Sequence, residues 1–118
     1  MKEVKISKEL FESVYNCDIT TDKAMLGVFK SISLNDFFFK CKEWAMNKGY
    51  QIISGLSDEP AYRNQDEKAY AQLRYYIEDE NGNGEYEDKY FMANTEIEAV
   101  VKASEYILKE INESNGYK

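Results

Sequence analysis

Histidine is absent from this 118-residue chain, proline occurs once and cysteine twice. Without histidine there is no side chain whose ordinary pKa suits a neutral-pH proton shuttle, no imidazole to activate a thiolate, and none to complete a zinc ligand set. Cys17 and Cys41 cannot by themselves form a disulfide framework, so two reduced thiols in a cytoplasmic protein are expected. No apolar run approaches the roughly 20 residues of a membrane-spanning helix. The start, Met1-Lys2-Glu3-Val4-Lys5, leads into mixed charge instead of an apolar signal region. A glycine-rich phosphate loop with an attached Lys and Ser/Thr is also missing. Carboxylate pairs abound, but their nearness in sequence does not set up the facing, environmentally distinct acid and base that glycoside hydrolysis requires. These absences predict a non-enzymatic protein that carries no catalytic residue, metal or cofactor and has no membrane partner.

Positive charge is also short, and unevenly so. Residues 1–57 hold eight Lys against seven Asp/Glu, a balance of +1, whereas residues 58–118 hold seven Lys/Arg against fifteen Asp/Glu, a balance of −8. A phosphate backbone needs cations to neutralise it, so a chain of net charge −7 without a dense Lys/Arg patch argues against a nucleic-acid partner.

What is present reads as one α+β domain, with residues 1–33 as an N-terminal extension packed on the same domain and residues 34–118 as an α-β-β-β-α core. Val4–Ile6 suggests a short strand. Ser7 can cap a helix whose stripe is Leu10, Phe11, Val14 and Tyr15 and which ends near Asn16. Met25–Ser33 mixes Leu26, Val28, Phe29 and Ile32 and is read as a strand. Ser33 with Asp36 opens a longer helix through Phe37, Cys41 and Trp44 to about residue 48, with Phe39 off its buried stripe. Tyr50, Ile52 and Ile53 indicate a strand, and Gly55–Gln65, which holds Pro60, a loop. Tyr70–Glu78 and Tyr86–Met92 form an antiparallel hairpin across Asn81-Gly82-Asn83-Gly84. Thr95 and Glu98 box the start of the last helix, with an apolar face of Ile97, Val100, Val101, Ser104, Ile107, Leu108 and Ile111. The simplest packing sets both long helices on one face of an antiparallel sheet of three or slightly more strands.

The hairpin end, "DENGNGEYED", raises the question of calcium. Asp79, Asn81, Asn83 and Gly84 match the first half of an EF-hand loop, and Glu87 could serve its ninth position. The twelfth position, which needs a bidentate Glu, is Tyr90, and the flanks alternate like strands where an EF-hand has helices. The loop therefore predicts a solvated hairpin turn and no specific calcium site.

Glu78, Asp79, Glu80, Glu85, Glu87 and Asp88 crowd negative charge at that end. Tyr76, Tyr86 and Tyr90 belong to strands whose alternation leaves one face aromatic. Together these nine residues are the candidate protein-binding set.

Two resemblances add expectations. The helix, three-strand, helix order over about residues 33–112 resembles the outline of the double-stranded RNA-binding domain. That family places phosphate-contacting lysines where this chain has Asn94-Thr95-Glu96-Ile97-Glu98, so the resemblance implies topology more than RNA binding. Lys42-Glu43-Trp44-Ala45 before Gly49-Tyr50, with Thr95-Glu96-Ile97-Glu98-Ala99-Val100, is similar in style to small phage or prophage proteins. That implies an accessory role, such as an acidic modulator or inhibitor of a basic host protein. The leading expectation is thus a protein-interaction module, and the alternative is a structural homo-oligomer joined through a tyrosine-rich sheet face. Calcium binding and nucleic-acid binding are the remaining readings.

Overall fold

The computed structural model describes residues 4–56 and 68–115, and its chain order is α1 (Lys8–Tyr15), α2 (Lys23–Lys30), α3 (Leu34–Asn47), β1 (Tyr50–Leu56), β2 (Ala69–Glu78), β3 (Gly84–Ala93) and α4 (Glu96–Asn115). The sheet is antiparallel in the order β1-β2-β3. Both long helices cover one of its faces. Phe37, Cys41, Trp44 and Ala45 of α3 and Ala99, Val100, Ala103 and Ile107 of α4 share a single core with Ile52, Ala71, Leu73 and Ala93 of the strands. This is the α+β arrangement that the two amphipathic stripes imply, because each helix can bury its stripe only against the sheet and its neighbour.

Local chemistry sets the helix ends. Ser7 Oγ accepts from the Leu10 amide at 3.1 Å and donates to Glu105 Oε1 at 2.7 Å, which ties the start of α1 to α4. Asn16 takes the left-handed conformation, φ 52°, and closes α1. Thr95 Oγ1 accepts from the Glu98 amide at 3.3 Å and lies 3.2 Å from the Glu98 carboxylate, so α4 opens at the expected Thr95/Glu98 pair.

Three local expectations are corrected. Residues 25–33 do not form a strand, because residues 23–30 are α2. The Asp22 carboxylate accepts from the amides of Ala24 and Met25 at 3.0 and 3.2 Å and so starts a helix. Helical spacing then turns Met25 and Phe29 onto the core while Val28 stays exposed, and Ile32, past the helix end, packs there too. Val4–Ile6 is no strand either. Val4 and Ile6 pack on the core without regular structure. Finally, β1 runs two residues into the expected loop, because Gly55 and Leu56 pair with Tyr70 and Ala69. The remainder of that loop, with Pro60, lies outside the described residues.

The N-terminal helices join the same core. Leu10, Phe11 and Ile19 are buried in it, and Phe11 meets Tyr15 and Phe29 at ring distances of 4.6 and 5.1 Å. Among the described residues, no helix is long and apolar enough to cross a membrane.

Candidate functional site

Side-chain alternation divides the sheet into unlike faces. In β2, Ala69, Ala71 and Leu73 are buried beneath the helices, while Tyr70, Gln72, Arg74 and Tyr76 point the other way. The register sets Tyr76 opposite Tyr86, Arg74 opposite Asp88, Gln72 opposite Tyr90 and Tyr70 opposite Met92. On the β1 side, Ile53 faces Gln72. Tyr76, Tyr86 and Tyr90 therefore share one open face, and they are 52, 62 and 62% exposed.

Contacts within this face hold the Tyr76 and Tyr86 rings in place. Tyr76 and Tyr86 meet edge to face at 5.4 Å, and the Arg74 guanidinium lies 4.8 Å from the Tyr86 ring centre. Arg74 also pairs with Asp88 at 4.0 Å. Tyr76 leans over Gly84 on the diagonal, where a Cβ would overlap its ring, and Tyr70 lies against Gly55 directly opposite, where a Cβ would be tightly crowded. A glycine beneath an aromatic lets the ring lie flat on the strand, and the ring supplies the cross-strand contact that glycine lacks.

The carboxylates of the candidate set are more dispersed than their sequence crowding suggests. Asp88 and Glu78 belong to the open face by register, and Glu85 and Glu87 to the helix-bearing face, where the hairpin extends beyond the helices. Glu87 accepts from the Tyr75 hydroxyl at 3.4 Å. Asp79 is committed to its own turn, since its Oδ1 accepts from the amides of Asn81 and Asn83, both at 2.9 Å. The Asp79 amide donates to the Asn83 carbonyl at 2.8 Å and closes the loop. Glu80 is exposed at the tip. The loop joins two strands, so the helix pair of an EF-hand is not there, and among the described residues no three or more His, Cys, Asp or Glu side chains group so as to hold a metal.

Asp79→Ala leaves two amides without their acceptor and is expected to lower stability by about 1–2 kcal/mol in calcium-free buffer. Urea unfolding with and without calcium checks this. A calcium-dependent rise in wild-type stability that disappears in the variant would instead make the loop a cation site.

The thiols are poorly placed for nucleophilic work. Cys41 is buried in the core, and burial pushes its pKa up to about 12, against a lowering influence from its hydrogen bond with Ser104. Cys17 is half-buried and also shifted upward, first by desolvation and then by Glu12, Asp22 and Asp18. A raised thiol pKa keeps the weakly nucleophilic protonated form at neutral pH. A cleft of about 390 Å³ beside α3 is lined by Ser13, Lys40, Glu43 and Trp44 among others, with neither thiol in its lining.

No protein-family model, curated protein or solved structure matches this chain. Its own geometry must carry the functional reading. Residues that sequence spacing left out of the candidate set, namely Ile53, Tyr70, Arg74 and Met92, join the open face through strand register. For Tyr70, Arg74 and Met92 the signal was parity about the Asn81 turn centre, which puts the even-numbered residues of β2 and β3 on the same side, whereas Ile53 joins only through its pairing with Gln72.

Proposed function

We propose that the protein is a non-enzymatic binding module that docks a protein partner on the open face of its sheet. The observation that carries this reading is the exposure of Tyr76, Tyr86 and Tyr90 together on a face over which no described helix packs. Exposed, pre-ordered tyrosines supply large contact area at low entropic cost, and aromatic residues dominate the energetics of protein interfaces. Glu78, Glu80 and Glu85 near the tip would speed encounter with a basic partner and make association salt-sensitive. An acidic modulator of a basic protein fits this division of labour, with charge acting on the on-rate and ring burial on the lifetime of the complex.

The test begins with capture from cells by the intact protein, with nuclease treatment to remove bridging nucleic acid, and continues with the purified captured partner. Tyr86→Ser with Tyr90→Ser is expected to weaken binding by roughly a hundredfold, mostly through faster dissociation. Reversing Glu78, Glu80 and Glu85 is expected to slow association and flatten its salt dependence. Equal affinity of the folded tyrosine variant would remove the open face from the mechanism. Recovery of RNA alone, abolished by nuclease, would favour the nucleic-acid reading.

A further inference from the structure

β3 lies at an edge of the sheet, and its backbone shows which groups that edge presents. The loop-closing bond from the Asp79 amide to the Asn83 carbonyl belongs to the same ladder as the Glu78–Gly84 pair. Hydrogen-bonded pairs alternate along an antiparallel ladder, so the odd residues of β3 bond to β2. The even residues, Gly84, Tyr86, Asp88, Tyr90 and Met92, turn their N–H and C=O groups outward. Lys102 agrees with this assignment, since its ammonium reaches the Met92 carbonyl at 2.6 Å. Gly84 to Tyr90 are all exposed. A long edge of this kind is a template for another strand, and its charges decide which strand can pair with it.

We propose that the edge pairs with β3 of a second copy, antiparallel and centred on Asp88, to make a continuous six-stranded sheet. The central run Tyr86-Glu87-Asp88-Lys89-Tyr90 pairs unlike charges and like rings with its own reverse about that centre. Glu87 of each copy then faces Lys89 of the other on the helix-bearing side, and Tyr86 faces Tyr90 on the open side. Both are direct cross-strand neighbours, the positions where opposite charges and aromatic pairs stabilise a sheet.

Neighbouring registers are worse. Centring on Glu87 sets Glu87 against itself and Tyr86 against Asp88, centring on Lys89 sets Lys89 against itself and Tyr90 against Asp88, and centring on Tyr86 sets Glu85 against Glu87 twice, so each loses the Tyr86–Tyr90 pairing. In the favoured register the two Asp88 residues meet at the axis, where each already has Arg74 at 4.0 Å as counter-ion. Lys102 already occupies the outward Met92 carbonyl, so the backbone pairing runs over Tyr86 to Tyr90 and stops short of Gly84 and Met92. On the helix side Glu85, Glu87 and Lys89 are exposed, so the central part of the edge is clear for approach. Edge pairing consumes backbone groups and leaves the open face free, so it goes beyond the docking reading and can fail independently of it.

Sedimentation equilibrium on the full chain tests the proposal, with circular dichroism as the check on folding. Wild type is expected to dimerise within a concentration series reaching about 1 mM. Glu87→Lys and Lys89→Glu each replace two attractive pairs with two repulsive ones and are expected to weaken the dimer by roughly thirtyfold or more. An equimolar mixture of the two single variants recreates both attractive pairs and is expected to restore dimerisation, as is the double variant E87K/K89E alone. A monomer at every concentration overturns the proposal. So does a dimer that ignores both single substitutions, a mixture that stays monomeric, or a dimer lost on Tyr76→Ser but indifferent to the charge changes, which would place the contact on the open face.

Discussion

Phe37→Ala is expected to lower the free energy of unfolding by about 3–5 kcal/mol, whereas Phe39→Ala, two residues along the same helix, is expected to change it by less than about 1 kcal/mol. Phe37 is fully buried where α3 meets the N-terminal aromatic cluster, with its ring 6.2 Å from that of Tyr15. Tyr15 is itself fixed by its hydroxyl, which donates to Asp36 at 2.5 Å, so that side of the site can collapse only partly into a cavity. Phe39 is 63% exposed and touches Phe38 edge to face at 5.6 Å. Against a total stability of about 5–15 kcal/mol for a domain of this size, the first change leaves the fold marginal. Urea unfolding of both variants measures the difference. Similar costs for the two would mean that the α1–α3 contact is not part of the cooperative core.

The contrast between these two phenylalanines was readable from spacing alone, since Phe37, Cys41 and Trp44 recur at helical intervals and Phe39 does not. The same holds for α1, α4 and the hairpin, where caps and periodicity agree. The N-terminal third was harder because Met25-Leu26-Gly27-Val28-Phe29 is a short apolar run, which hydrophobicity alone assigns equally well to a strand or a helix. Asp22 resolves it, for its carboxylate caps the first amides of α2, yet a lone Asp before a lysine reads as a loop residue until a helix is known to follow. Gly55 was misplaced for a related reason. Glycine weakens a strand in isolation, but here the Tyr70 ring lies across it and makes good the missing side chain.

The candidate site was legible as composition and illegible as geometry. Crowded carboxylates draw the eye in the sequence, but Asp79 spends its charge on the turn and Asp88 on Arg74, while Glu85 and Glu87 face away from the tyrosines. The aromatic face depends on register, and register depends on where the turn is centred. Once the Asp79–Asn83 bond fixes that centre, the facing of Tyr76, Tyr86 and Tyr90 and the outward backbone of β3 both follow. A single turn thus sets the two surfaces on which this protein could meet a partner or itself.

Raising the pH is expected to destabilise this protein, in part through its buried thiol. Burial disfavours the Cys41 thiolate and pushes its pKa up to about 12 in the folded chain, against an ordinary value of 9.0. A folded-state pKa above the unfolded one means that stability is fully present below about pH 9 and falls as the unfolded chain releases a proton that the folded chain retains. The expected slope is about 1.4 kcal/mol per pH unit, levelling off only as the folded thiol itself ionises. Tyr15 and Tyr106 are also shifted upward, chiefly by desolvation and then by hydrogen bonds to Asp36 and to Tyr75, so their alkaline contribution has the same sign. Cys41→Ala separates the thiol from the phenols. The variant should begin about 1 kcal/mol less stable at neutral pH, from lost sulfur packing, and the deficit should close and then reverse as the pH rises. Urea unfolding of both proteins across the alkaline range reads this directly. A stability difference that stays constant from about pH 8 to about pH 11 would show that Cys41 ionises as freely in the folded chain as in the unfolded one.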